Sequence, residues 1–242
     1  ITSRPDTDIL NSSRFRVCRL LPLEISDHLP FLKINCSDTK QAIHLYEAIQ
    51  NSKVGIRNLL QTPLMMTLLV VLYKSSQSIP DSVPRFYEEL FDVMFYRHDD
   101  NKPGFRRKRY TKLEDTMLKK YFSAFCFYAW LKKYGIFKNE QFEECCTLAT
   151  KACGIDVDPK HFKNEVVKTV CLMQEEGFIL SFVHKSVLEF YSAAFVKRST
   201  EEFAEKFYRG IIANSSYPKE KNSIIKFLSQ IDGYRYSKFY TL

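Results

Sequence analysis

The sequence predicts a mostly α-helical chain with small β elements, and three observations carry that prediction. Apolar residues recur at helical spacing behind recognisable N-terminal caps at several points along the chain. Strand-like runs are short and fall in two places only, before residue 35 and between 170 and 183. Seven Gly and nine Pro in 242 residues are too few for the turn-rich loops of an all-β sandwich. Hydrophobic residues at 45% and charged residues at 26% match an ordinary globular protein, with material for one large domain or two to three small ones.

In chain order, Ile1-Thr2-Ser3, Phe15 to Leu20 and Phe31 to Ile34 read as short extended pieces around a turn-rich stretch. Asp38 with Gln41 three residues on forms a capping box, and Ala42, Ile43, Tyr46 and Ile49 follow at helical spacing. Tyr87, Leu90, Phe91 and Met94 fall at i, i+3, i+4 and i+7, a one-faced helix punctuated by Pro80, Pro84 and Pro103-Gly104. The basic run Arg106-Arg107-Lys108-Arg109 marks a domain boundary. Thr111 with Glu114 predicts a capped, long apolar helix ending near Tyr134. Asp158 before Pro159 places a capping side chain ahead of a residue suited to the first helical position.

Val170 to Gln174 and Phe178 to Val183, joined by Glu175-Glu176-Gly177, read as a β-hairpin with a three-residue loop. Ser186 with Glu189, and Ser199 with Glu202, repeat the capping box. Phe203-Phe207-Ile211 and Ile224-Phe227-Ile231 predict two closing helices. Helices followed by a two-stranded wing is winged-helix order.

Several classes are disfavoured. The longest apolar stretch, Leu64 to Leu72, is interrupted by Thr67 and is far short of the roughly 20 residues that span a bilayer. The chain opens on Ile1 without a secretory leader, and we read it as a piece of a longer, cytoplasmic protein. Seven cysteines without C-x-x-C spacing predict reduced thiols, not a disulfide frame or zinc site. A formal charge of +8 permits an acidic partner.

Three stations carry chemistry. Thr2-Ser3-Arg4-Pro5 follows an apparent strand, and an Arg just beyond a strand tip can reach a phosphate. Leu60 to Leu69 contains Pro63, which breaks one helix, starts another and offers a flat apolar ring to a base. Phe182 to Tyr191 contains His184 at the hairpin exit, where it can donate to a phosphate oxygen and titrate near neutral pH. Each also has a plain structural reading: a surface Arg, a helix–helix junction and a backbone-satisfied His.

In this order and spacing, T-S-R-P, then T-P-L-M-M-T-L-L, then F-V-H-K-S-V-L-E-F-Y-S-A-A, the chain resembles the NACHT subgroup of STAND ATPases, relatives of animal NLR proteins. The resemblance runs from the first station to about residue 200. It implies the C-terminal edge of an α/β P-loop nucleotide-binding domain over 1–36, a helical domain over 37–104 and a winged-helix domain over 105–198. Residues 199–242 would begin a further helical segment. It also implies that Arg4 senses the terminal phosphate, that Pro63 packs near the adenine, and that His184 contacts the phosphates of bound ADP.

The implied function is a switch, closed with ADP and open and self-oligomerising with ATP and Mg²⁺. Innate immune or antiviral defence in a prokaryote, with a phage protein as one possible trigger, is the associated setting. No G-x-x-x-x-G-K-[ST] occurs in the 242 residues, so the chain alone is expected to hydrolyse no ATP.

Two other readings compete. Lys160, His161, Lys163, Asn164 and Lys168 form a candidate groove-facing set for a DNA-binding winged helix. The apolar helix from Lys119 to Tyr134 is a candidate docking face for a protein-interaction adaptor.

Overall fold

The computed structural model describes residues 21–96, 109–213 and 223–241. It is mostly helical with one small antiparallel sheet, and the chain falls into two compact units, Ile1–Val70 and Val71–Leu242. Among the described residues no helix is long and apolar enough to cross a membrane. The pieces expected to be extended at Ile1 to Ser3 and Phe15 to Leu20, the Arg4 station and the basic residues 106–108 lie outside the described residues.

In the first unit, α1 (Ile25–Asn35) overturns the expected strand at Phe31 to Ile34. Pro30 lies inside this helix and removes one i→i−4 bond. The helix survives because the Glu24 N–H donates to the Asp27 carboxylate at 2.8 Å, and because His28 and Leu32, one turn apart, are both buried. Helix α2 (Thr39–Gln50) begins as expected, with the Gln41 N–H donating to Asp38 Oδ1 at 2.8 Å. Its buried face is Ala42, Leu45 and Ile49, whereas Ile43 is exposed and Tyr46 half-buried. The true stripe is therefore rotated from the one the sequence predicts. Helix α3 (Val54–Leu59) packs on α2, and α4 (Pro63–Ser76) begins in this unit, whose last residue is Val70.

In the second unit the helices are α5 (Val83–Tyr96), α6 (Asp115–Leu131), α7 (Asn139–Cys153), α8 (Pro159–Asn164), α9 (Lys185–Arg198), α10 (Glu201–Ala213), α11 (Ser223–Ile231) and α12 (Gly233–Phe239). Helices α6 and α9 form the central pair, with α7 against α6 and α11 against α9. Between Leu118 and Ala129, α6 buries all but three of its residues, so the face offered to a protein partner is instead filled by neighbours of the same chain. Phe122 meets Tyr191 edge-on at 5.0 Å, and Phe125 lies among Phe137, Phe142 and Phe162. Tyr121 donates to the Cys146 carbonyl at 2.9 Å and pins α7.

The expected Thr111 cap does not form, because Thr111 has a stronger partner. The fully buried Glu165 accepts from the backbone N–H groups of Tyr110 and Thr111, each at 2.7 Å, and from the Thr111 hydroxyl at 3.2 Å. Helix α6 then starts at Asp115 behind Glu114. Asp158 caps α8 as expected, accepting from the His161 N–H at 2.9 Å. Past α8 the chain widens into a π-helical turn, Glu165–Thr169.

The hairpin forms, but shorter than its sequence predicts. Cys171 takes a left-handed φ of +54°, which keeps Val170 to Leu172 out of the strand. Strands β2 (Met173–Glu176) and β3 (Ile179–Phe182) pair antiparallel with Glu176 opposite Ile179. The loop is thus two residues, Gly177-Phe178, with Gly177 at φ +61°. A third strand, β1 (Ile136–Phe137), joins the far edge of β3 in the order β1-β3-β2.

The Ser199 cap is also replaced: Thr200 Oγ1 accepts from the Phe203 N–H at 3.3 Å to open α10. Ser199 instead closes α9, whose last carbonyls are collected by Arg235. That guanidinium donates to Ser199 O at 2.9 Å and Val196 O at 3.2 Å, and also to Lys197 O, while its Nε holds Asp232 at 2.8 Å. A cation over the C-terminal end of a helix both satisfies orphan carbonyls and complements the dipole. Among the described residues no disulfide is formed, and Cys126, Cys145 and Cys146 are buried. Burial pushes the Cys145 thiol up to about 12, so it stays protonated and inert.

Candidate functional site

Of the three chemical stations, Arg4 lies outside the described residues, Pro63 belongs to the first unit and His184 to the second. Pro63 is the first residue of α4, where its missing N–H costs nothing. Thr62 caps that start, accepting from the Met65 N–H at 3.3 Å, and Thr67 returns a hydroxyl to the Pro63 carbonyl at 2.9 Å. The ring itself is exposed, while Met65 and Met66 behind it are buried. The geometry expected of Pro63 as a helix breaker and starter is present.

His184 is the N-cap of α9, with extended backbone (φ −152°, ψ 145°) carried over from β3. Its Nδ1 accepts from the Ser186 N–H at 3.2 Å. The capping box expected from Ser186 and Glu189 is therefore not the one used: the imidazole caps, and Ser186 turns inward. Ser186 Oγ makes short contacts with His184 Nδ1 on one side and with the Tyr87 hydroxyl of α5 on the other. Glu189, half-buried, engages Ser223 at the start of α11, and burial raises its carboxyl above the usual range.

Donor roles along this chain of groups follow from the backbone. An N–H can only donate, so Nδ1 holds a lone pair and no proton. Ser186 must then donate its hydroxyl proton to Nδ1, and its oxygen is left to accept from Tyr87. The ring proton of a neutral His184 sits on Nε2. Among the described residues Nε2 meets no hydrogen-bond partner.

Desolvation first, and the neighbouring Lys185 cation second, lower the His184 pKa from its ordinary 6.5. Both effects favour the neutral imidazole. Burial also drives the Tyr87 phenol upward, so its proton stays in place.

Aromatic packing holds this corner. Tyr87 stacks on Phe190 at 5.2 Å with 25° between rings, and Tyr191 donates to the Tyr87 carbonyl at 2.7 Å. Ser186 and Tyr87 were not among the residues singled out from sequence as chemical. Tyr87 read as a core stripe member, which it is, and only the contact 99 positions away gives its hydroxyl a role.

The residues suggested for DNA contact are partly committed elsewhere. Lys163 pairs with Glu175 at 2.8 Å, Asn164 donates to Lys160 O at 3.0 Å, and Lys168 lies 5.6 Å from the centre of the Tyr110 ring. They sit on a six-residue helix and a π turn, not on one continuous recognition helix. Among the described residues no group of three His, Cys, Asp or Glu side chains could hold a metal ion. Comparisons with protein-family models, curated proteins and solved structures return no match.

Proposed function

We propose that this chain is the portion C-terminal to the P-loop of a NACHT-type nucleotide switch, in which His184 donates from Nε2 to a phosphate oxygen of bound ADP and holds the closed state. One observation carries this reading. The imidazole at the start of α9 has Nδ1 engaged in capping, which leaves the ring proton on Nε2, an atom with no hydrogen-bond partner among the described residues. The N-terminal end of the fourteen-residue α9 carries positive dipole character, and Lys185 stands beside it, so an anion is favoured there.

An exposed Pro63 ring at the first position of α4 fits a surface laid against a base. Arg4 would sense the terminal phosphate, and Mg²⁺ and most phosphate binding would belong to the P-loop half of the protein. ADP supplies the anionic phosphates; this chain contributes donors and a packing surface.

A charge-assisted hydrogen bond is worth about 1.5–3 kcal/mol, enough to tilt a balanced two-state equilibrium roughly tenfold or more. The switch is then a population shift in which loss of the His184 contact frees the winged-helix region and exposes surface for self-association. A cytoplasmic defence role, with a phage protein as trigger, is the setting in which such switches operate. The test is the release rate of labelled ADP from the complete protein. His184→Ala should release ADP about tenfold faster and raise resting activity. Unchanged release with an unchanged resting state contradicts the proposal.

A further inference from the structure

Resting on that reading of His184, we infer that Ser186 and Tyr87 are positioning residues: their hydroxyls, in series, hold the imidazole as the Nε2–H tautomer. Free histidine exchanges between two neutral tautomers, and a ring that spends time as the Nδ1–H form presents a lone pair, not a donor, at Nε2. A lone pair repels a phosphate oxygen. Selecting the donor form is therefore as necessary to anion recognition as placing the ring.

Two donors converge on Nδ1 from a single residue. The Ser186 N–H approaches at 3.2 Å and the Ser186 hydroxyl more closely. A proton on Nδ1 would oppose the N–H and force the hydroxyl to turn and accept instead. The Ser186 hydroxyl could in principle turn to donate elsewhere, and Tyr87 removes that freedom. Its phenol, on a fully buried side chain, contacts the same oxygen and occupies its acceptor side, which leaves the Ser186 proton aimed at the ring.

Tyr87 is itself fixed on three sides: Phe86 at 5.1 Å edge-on, Phe190 stacked at 5.2 Å and Phe227 at 5.9 Å. Tyr191 holds its carbonyl at 2.7 Å. The Ser186 hydroxyl is thus oriented from the aromatic core of α5, α9 and α11. Capping alone would need only the N–H to Nδ1 contact; a buried phenol in line behind the serine hydroxyl is surplus to a cap.

The test uses the complete protein labelled with ring-¹⁵N histidine, read by two-bond ¹H–¹⁵N correlation, with His184→Asn identifying the signal. Wild type should show His184 Nδ1 as an unprotonated ring nitrogen and Nε2 as a protonated one at neutral pH. Ser186→Ala should bring the two nitrogen shifts toward each other and speed ADP release about tenfold. Ser186→Thr, which keeps a hydroxyl, should restore both, and Tyr87→Phe should give a smaller change in the same direction. A wild-type signal with Nδ1 protonated overturns the inference, and so does a Ser186→Ala spectrum identical to wild type. A tautomer shift with ADP release unchanged upholds the positioning role and removes the phosphate reading of His184 instead.

Discussion

The Tyr191 phenol of α9 donates to the main-chain carbonyl of Tyr87 on α5 at 2.7 Å, joining residues 104 positions apart inside the core. A helix carbonyl that takes a second donor from a neighbouring helix fixes both translation and rotation between the two. Here it fixes the residue whose hydroxyl reaches Ser186 and, through it, His184.

Tyr191→Phe keeps the ring and its edge-on contact with Phe122 but removes the donor. We expect a loss of roughly 1 kcal/mol in urea unfolding, about the net worth of one hydrogen bond. The α-helical signal should be retained, because the Tyr87 carbonyl keeps its place in α5. A stability equal to wild type would show that the bond adds nothing.

Glu165 ties the π turn to the segment ahead of α6 through two backbone N–H groups at 2.7 Å. Glu165→Ala would strand both donors in the interior, at a cost of about 3 kcal/mol or more. Glu165→Gln retains an acceptor oxygen and should cost less. Hydrogen exchange at the Tyr110 and Thr111 amides is the direct readout: strong loss of protection in the Ala variant, partial loss in the Gln variant.

Gly177 occupies the first position of the two-residue hairpin loop at φ +61° with open space where a Cβ would stand. Gly177→Ala therefore meets backbone strain alone, and about 1–2 kcal/mol of destabilisation is expected in thermal or urea unfolding. No loss would mean that the loop relaxes to another turn type.

The lowered pKa of His184 has a defined sign in stability. Between the ordinary value of 6.5 and the lower folded value, the unfolded chain binds a proton that the folded chain refuses. The contribution is fully present above 6.5 and is lost as pH falls through the folded value. Buried His28, also lowered by desolvation, acts in the same direction. Replacing His184 with Asn keeps a capping acceptor and removes the titration. The melting temperature of wild type should fall more steeply on acidification than that of His184→Asn; parallel curves would contradict this.

Much of the helical framework was legible because its determinants are local. Asp38 and Asp158 cap where they stand, and Tyr87, Leu90, Phe91 and Met94 form the buried face of α5. The closing helices α10 and α11 lie where Ile211 and Ile224 mark their stripes. The misread points share one cause. Thr111 and Ser186 have good local capping chemistry, yet each is claimed by a partner far along the chain, Glu165 and Tyr87 respectively. A short-range motif cannot disclose such competition. Helix α1 was hidden by Pro30, and two-residue β1 is too short to show any period.

His184 was legible as a candidate from its place at a strand–helix corner, but not its use as the cap of α9. That needed the direction of the Ser186 N–H. Whether His184 belongs to a nucleotide switch is decided by the nucleotide that the complete protein retains on purification, released by denaturation and identified by ion-exchange chromatography. We expect ADP in near-equal molar amount with protein, sharply reduced in His184→Ala. A protein that is empty and also fails to take up added ADP or ATP would contradict it.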